Sequence, residues 1–123
     1  MTAHRDNTRK IGGSEEDRAA AFLESRGCTI IKRNYRCSAG EIDVIYTDDS
    51  TLCFGEVKFR ENSKNGLPEE AVDKRKQRKI CRASDHFRMM NALDESLSYR
   101  FDVLSLTPGN INWLKNAFEY IRR

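Results

Sequence analysis

Alternating apolar and polar residues indicate two adjacent strands in the first half of the chain. Ile42, Val44 and Tyr46 occupy every second position, which is the spacing of residues that share one face of a β-strand. Residues 48–50 are Asp-Asp-Ser, a composition typical of a tight turn, and residues 51–59 again have the composition of a strand. The pattern therefore predicts a β-hairpin.

Two other segments carry the signals of helices. Ser14 is a candidate N-cap with acidic residues in the following turn, apolar residues continue over 19–23, and Gly27 is expected to end the helix. A second helix is predicted from Pro68 to about Met90, because proline suits the first helical position. Its inward-facing stripe is predicted to contain Ala71, Val72, Ile80, Ala83, Phe87 and Met90.

Three further segments are predicted to be strands. Residues 28–33 precede the hairpin and are followed by a polar connection over 34–40. Residues 99–107 and 111–114 follow the second helix, with the turn sequence 108–110 between them. The order helix, three strands, helix, strand, strand predicts a mixed central sheet flanked by helices, in the α/β or α+β class.

The length of 123 residues suits one hydrophobic core and is too short for two ordinary ones. Residues 1–13 are polar and end in two glycines, so we expect a flexible basic arm before a single domain over 14–123. No apolar run approaches the roughly 20 residues that span a bilayer, and the polar start lacks the apolar stretch of a secretion signal. We therefore expect a cytoplasmic protein that does not bind membranes.

The four cysteines, Cys28, Cys37, Cys53 and Cys81, are irregularly spaced and contain no Cys-x-x-Cys pair. This spacing argues against a zinc site. In a reducing compartment such cysteines are expected to be free thiols that serve packing.

Positive charge is concentrated in one segment. The net charge of +3 indicates little by itself, but five cations fall within the six residues 74–79. These are Lys74, Arg75, Lys76, Arg78 and Lys79. Such a run is often only a solvated helix face; its place directly after the hairpin favours phosphate contacts, which would weaken with added salt.

The hairpin also carries candidate chemistry. Glu56 and Lys58 are two residues apart on one strand and so point to the same side, and Asp43 lies on the partner strand. Two carboxylates close together in a sheet are costly unless a cation neutralises them. Asp43 and Glu56 are therefore predicted to hold Mg²⁺ or Mn²⁺, and Lys58 to orient a water and stabilise a phosphate during phosphodiester hydrolysis. A simple ion pair is the alternative interpretation of Glu56 and Lys58.

Gly55 permits close approach of a backbone or substrate, or marks a bulge.

Several motifs resemble those of a known family. They are Gly40-Glu41-Ile42-Asp43-Val44-Ile45, Phe54-Gly55-Glu56-Val57-Lys58-Phe59-Arg60, Glu70-Ala71-Val72, Arg100-Phe101-Asp102-Val103 and Asn116-Ala117-Phe118. With them the chain resembles the UPF0102 (YraN) family over nearly its whole length. Members of that family resemble Holliday-junction resolvases and other PD-(D/E)xK nucleases in fold. The resemblance implies a restriction-endonuclease-like three-layer core, with the Asp and the Glu-x-Lys on adjacent strands.

The resemblance also implies roles for single residues. A catalytic acid of the first helix falls on Glu16, although Glu15 stands where the family usually has glycine, which leaves the choice between the two open. Lys76 and Gln77 match a helix position that approaches substrate phosphates in some relatives. Independently of the resemblance, Glu41 shares a strand face with Asp43 and is expected to support the site rather than to bind metal.

Asp102 is expected to be a structural partner of Arg100 or of a backbone group.

Three classes of function follow. The first is a Mg²⁺- or Mn²⁺-dependent endonuclease acting on DNA, including branched or single-stranded DNA. The second is a binding module that keeps the fold without cutting and serves repair, recombination or DNA-uptake proteins. The third is a protein-interaction module. A symmetric homodimer would suit cutting both strands of a junction.

Overall fold

A computed structural model of the chain describes residues 3–61 and 72–122, with side chains described from Ser14 onward. Within these ranges the elements are α1 (Ala3–Ser25), β1 (Thr29–Cys37), β2 (Gly40–Asp48), β3 (Thr51–Phe59), α2 (Lys74–Met90), β4 (Tyr99–Thr107) and β5 (Asn110–Phe118). The strands form one sheet in the order β1-β2-β3-β4-β5. β3 and β4 are parallel and the other neighbours are antiparallel. The predicted mixed sheet flanked by helices is confirmed.

The two helices cover opposite faces of the sheet. Phe54 belongs to a core cluster with Ile80 and Phe87 of α2, whereas its neighbour Cys53 belongs to a cluster with Ala19 and Leu23 of α1. Successive residues of a strand point to opposite faces, so these clusters are separate layers. The result is a helix, sheet, helix sandwich, as expected of a nuclease-like core.

The first helix begins earlier than predicted, and the second has an N-cap that was not predicted. α1 begins at Ala3, so Ser14 lies inside the helix, and the predicted N-cap is wrong, as is the expectation that 3–13 forms no regular element. A polar composition indicates that a segment buries little surface. It does not exclude a helix, because lysine and arginine are good helix formers. α2 begins at Lys74 after the N-cap Asp73, whose side chain accepts a hydrogen bond from the backbone N–H of Lys76. The predicted helix start, Pro68, lies outside the described residues.

The predicted burial of the apolar stripe of α2 is confirmed in the middle of the helix and is wrong at its C-terminal end. Ile80, Ala83 and Phe87 are buried, but Met90 is 64% exposed. Met89 is exposed as well, so the buried stripe stops at Phe87, one turn before the helix ends. Val72 is buried but precedes the helix, and Ala71 lies outside the described residues.

The two edge strands are longer than predicted. β1 continues to Cys37, so most of the predicted polar connection over 34–40 is strand, and β5 continues to Phe118. An edge strand has one side open to water, so its polar residues do not prevent pairing. Each outer pair also contains an irregularity, between Ile30 and Lys32 in β1 and opposite Asp102 in β4.

Asp102 fixes the irregular pairing of β4 and β5. Its side chain is fully buried and accepts hydrogen bonds from Arg100 Nε at 2.9 Å, from the backbone N–H of Asn116 at 2.8 Å and from Trp113 Nε1 at 3.1 Å. The hydroxyl of Tyr46 donates to it as well. The expectation that Asp102 partners Arg100 or a backbone group is confirmed on both counts.

All four cysteines are free thiols, and Cys28, Cys53 and Cys81 are buried, which confirms their expected packing role. Of the helices in the described part of the chain, neither has the length and apolar character to cross a bilayer.

Candidate active site

β2 and β3 separate at the residues that were predicted to carry chemistry. Their paired register runs from Asp48 and Thr51 and ends at Val44 and Gly55. One residue further along, Oδ2 of Asp43 accepts a hydrogen bond from the backbone N–H of Val57 at 2.8 Å. The Asp43 carboxylate thus accepts a hydrogen bond that a backbone carbonyl would accept in a regular ladder. We call this place the strand fork; the Asp43 carboxyl lies within it.

Gly55 makes the last pair before the fork possible. A Cβ at this position would lie 2.9 Å from Cγ1 of Val44 and 3.1 Å from Cε1 of Tyr46. The glycine is required because side chains of β2 lie across it. The groups that approach Gly55 are thus side chains of the protein, whereas the sequence led us to expect a backbone, a substrate or a bulge.

The carboxyl groups of Asp43 and Glu56 form an interacting, largely buried pair. Glu56 is only 5% exposed, and its Oε1 has no hydrogen-bond partner among the described residues. Burial, followed by the negative charge of Asp43, raises the pKa of Glu56 to about 7. Burial also raises the pKa of Asp43, against the opposing effects of the Val57 N–H and of Lys76. Deprotonating both acids is therefore costly unless a cation lies beside them.

Two lysines lie near this pair, Lys58 of β3 and Lys76 of α2. Nζ of Lys76 is 3.4 Å from Oε2 of Glu56. Lys58 lies within electrostatic reach, because its charge also favours the ionised form of Glu56 by lowering its pKa. Glu56 and Lys58 thus lie close enough to act together, as the strand spacing predicted.

Glu16 reaches the fork from the opposite face of the sheet. Burial raises the pKa of its carboxyl, and the negative charge of Asp43 adds to this effect. A hydrogen bond with Asn34 acts in the other direction. Glu16, one of the two adjacent acids left open by the sequence, thus lies within electrostatic reach of Asp43.

Glu41 lies at the margin of the site. It is exposed and pairs with Arg36, whose Nε is 3.2 Å from Oε2 of Glu41. Its charge nevertheless raises the pKa values of both Asp43 and Glu16. This position is compatible with the supporting role that was expected of it.

The arrangement suits a hard divalent cation that keeps much of its own water. Within the described residues, no three His, Cys, Asp or Glu side chains are grouped to hold a metal. Mg²⁺ commonly binds through one or two carboxylates and takes water and phosphate oxygens as its remaining ligands. The Asp43 and Glu56 pair offers two carboxylates, and the unpartnered Oε1 of Glu56 is a free acceptor. The residues present therefore fit such an ion.

The exposed cations of α2 extend outward from the site. Lys74, Arg75, Arg78 and Lys79 are exposed, as predicted. We call these four residues the basic surface. The β1–β2 turn packs beside it: Gly40, with φ +157°, would place a Cβ 3.2 Å from Cβ of Lys79.

Gln77 differs from its basic neighbours. It is buried, and its Nε2 donates to the backbone carbonyl of Val72 at 2.9 Å. A phosphate contact by Gln77 stays a prediction, and it would require the side chain to leave this position.

Two features of the site could not be predicted from the sequence. Lys76 was expected to contact phosphate, and its ion pair with Glu56 was not predicted because that contact depends on how α2 packs against the sheet. The hydrogen bond from Val57 to Asp43 was not predicted either. Strand alternation describes a regular ladder, whereas this bond exists only because the ladder ends.

Comparison with known proteins identifies the family. A family model described as "Uncharacterised protein family UPF0102" matches residues 15–106. A UPF0102 protein of Lachnoclostridium phytofermentans is 41% identical over 113 residues, covering 92% of this chain and 96% of that protein. Another, of Saccharophagus degradans, is 42% identical over 109 residues, covering 89% and 92%. One from Caldicellulosiruptor saccharolyticus is 38% identical over 118 residues, covering 91% and 99%. The chain therefore belongs to the UPF0102 family.

Proposed function

We propose that this protein is a metal-dependent endonuclease that hydrolyses phosphodiester bonds of DNA. The observation that carries the proposal is the pairing of buried Glu56 with half-buried Asp43 at the strand fork, with lysine on one side and Glu16 on the other. Burial raises the pKa of both acids, and the charge of Asp43 raises that of Glu56 further. A divalent cation bound to both carboxylates would offset this cost of ionisation.

The residues around the pair have distinct tasks. Bound Mg²⁺ or Mn²⁺ would act as a Lewis acid on the phosphoryl oxygen and would acidify a water molecule. Asp43 and Glu56 would hold the ion, and the hydrogen bond from Val57 keeps the Asp43 carboxyl oriented in the fork. The ammonium of Lys58 would orient the attacking water and stabilise the negative charge that develops on the phosphate.

Glu16 would complete the proton transfer. Burial and the charge of Asp43 raise the pKa of Glu16, and a carboxylate with a raised pKa is a stronger proton acceptor. As water attacks, one P–O bond forms while the ester P–O bond breaks. The water loses a proton and the departing oxygen gains one, so that no further reactant is consumed.

The basic surface supports nucleic acid as the substrate. Lys74, Arg75, Arg78 and Lys79 are exposed on the same helix that supplies Lys76 to the site. A phosphate backbone bound along these cations would release condensed counterions, so affinity should fall steeply with salt. We propose DNA, including branched or single-stranded DNA, as the substrate. We propose that the protein acts in the cytoplasm together with repair or recombination proteins.

The test is cleavage of end-labelled duplex, single-stranded and four-way-junction DNA in Mg²⁺ or Mn²⁺, with chelator as a negative control. Glu56→Gln and Lys58→Met should each reduce the rate at least about 100-fold, because each removes a group that acts on the reacting phosphate. Glu24→Gln, on the exposed side of α1, is the matched control and should cut like the wild type. Cleavage that persists in chelator or in Glu56→Gln would contradict the proposal.

A catalytically silent DNA-binding module is the second candidate. It is favoured by the basic surface, because its four exposed cations could bind DNA without any contribution from Asp43 or Glu56. Its signature would be salt-dependent DNA binding that survives Glu56→Gln, together with no cleavage by the wild-type protein on any of the three substrates.

A further inference from the structure

One contact of the site has no task in the hydrolysis described above, namely the ion pair between Lys76 and Glu56. The Nζ to Oε2 distance is 3.4 Å, and the two side chains are 36% and 5% exposed. The carboxylate is thus enclosed while the ammonium borders on solvent. A lysine head at the end of four carbons can turn to another partner without disturbing the helix that carries it.

The backbone of Lys76 is held firmly. Its N–H donates to Oδ1 of the N-cap Asp73 at 2.9 Å, in the first turn of α2. Arg75 on one side and Lys79 one turn on belong to the basic surface. Lys76 therefore lies at the boundary between the acid pair and the cations that face solvent.

We infer that Lys76 couples metal binding to nucleic-acid binding. In the free protein its ammonium neutralises Glu56, and a backbone phosphate draws it away when Mg²⁺ or Mn²⁺ binds to the acids. This role rests on the proposed function.

Charge balance requires such an exchange. An ammonium at 3.4 Å from Oε2 and a divalent cation bound to the same carboxylate would repel each other at short range. A phosphate oxygen is an equally good partner for the ammonium, and charge-assisted hydrogen bonds of this kind are strong. DNA binding thus draws away the Lys76 ammonium, which competes with the metal for Glu56, and so raises the affinity for the metal. By thermodynamic linkage, the metal must raise the affinity for DNA by the same factor. The free protein is expected to bind divalent ions weakly.

The first measurement is Mn²⁺ affinity without DNA, from the electron paramagnetic resonance signal of free Mn²⁺ at about pH 8, where carboxylates are ionised. Lys76→Met should bind Mn²⁺ at least about threefold more tightly than the wild type, a factor typical of losing one partly exposed charge pair. Lys76→Arg keeps the charge and should not tighten binding. Lys32→Met removes an exposed lysine of β1 and should change the affinity less than about twofold.

The second measurement adds a short single-stranded DNA, with all proteins carrying Lys58→Met to prevent cleavage. DNA should tighten Mn²⁺ binding by about tenfold when Lys76 is present, and by less than about twofold in the Lys58→Met/Lys76→Met protein. Circular dichroism checks folding, and Lys76→Gln replaces the methionine variant if the latter is unstable.

The outcomes separate the two ideas. If the wild type cuts DNA with metal, but Lys76→Met neither tightens Mn²⁺ binding nor loses the coupling, Lys76 has no coupling role and the proposed function stands. If the wild type binds no Mn²⁺ at millimolar concentration with or without DNA and cuts nothing, the proposed function fails, and the coupling fails with it.

Discussion

Replacing Glu56 with glutamine is expected to stabilise the folded protein above neutral pH and to change its stability little near pH 5. Glu56 is 5% exposed, and burial together with the charge of Asp43 raises its pKa from 4.5 to about 7. The folded state therefore favours the protonated carboxyl more than the unfolded chain does. Glutamine resembles that neutral form in shape and never ionises.

The size of the effect follows from the two pKa values. The stabilisation from the protonated carboxyl is complete below the unfolded value of 4.5 and is lost as the pH rises through about 7. Each pKa unit corresponds to 1.36 kcal/mol, so the wild type should lose about 3 kcal/mol of unfolding free energy across this interval. Burial also raises the pKa of Asp43, and interacting acids titrate as a pair, so the loss should extend over a broad range.

Urea unfolding, followed by the fluorescence of the single tryptophan, Trp113, measures this directly at intervals between about pH 5 and about pH 8. The wild-type curve should fall with pH, and the Glu56→Gln curve should fall much less. Glu24→Gln, an exposed site on α1, should follow the wild type. Added Mn²⁺ should stabilise the wild type near pH 8 but not Glu56→Gln, since a ligand of the folded state raises stability by mass action. Parallel curves for the wild type and Glu56→Gln would refute the reasoning.

Three further substitutions test the structure around the site by chemical denaturation. Gly55→Ala should cost about 2 kcal/mol, because its Cβ would lie 2.9 Å from Val44; Gly109→Ala, with nothing within 4 Å, should cost little, and equal costs would contradict the packing argument. Asp102→Ala should cost about 3 to 5 kcal/mol, because it removes the shared acceptor of the Trp113 and Asn116 N–H groups and one of the two carboxylate partners of Arg100; a loss below about 1 kcal/mol would show that the network is dispensable. Asp73→Ala removes the N-cap of α2 and should cost about 1 kcal/mol, with a marginal effect counting against the cap.

The central strands could be predicted from the sequence because their signals are local. β3 and β4 have the predicted bounds, and β2 extends its prediction by only a few residues, since alternation and turn residues are properties of the segment itself. The edge strands are different. Asn34 and Arg36 alternate with Tyr35 and Cys37, which pack against the core. This alternation is too short to predict a strand alone, and the segment becomes strand because it pairs with β2.

The same distinction holds for the candidate site. Asp43, Glu56 and Lys58 are brought together by one hairpin, so strand spacing and register were enough to predict their proximity. Lys76 and Glu16 come from helices on opposite faces of the sheet. Their approach depends on the packing of three layers, and for Glu16 only the family resemblance indicated it.

The irregular outer strands bear on how copies of the protein can associate. β1 is interrupted between Ile30 and Lys32, and β5 is bent where Asn116, with φ 55°, donates its N–H to Asp102. Bulges and charged side chains on edge strands are known to prevent sheets from joining edge to edge. Concentrated solutions should therefore resist aggregation through strand addition. A dimer that cuts both strands of a junction would have to assemble through helix or loop surfaces, leaving a separate five-stranded sheet in each copy.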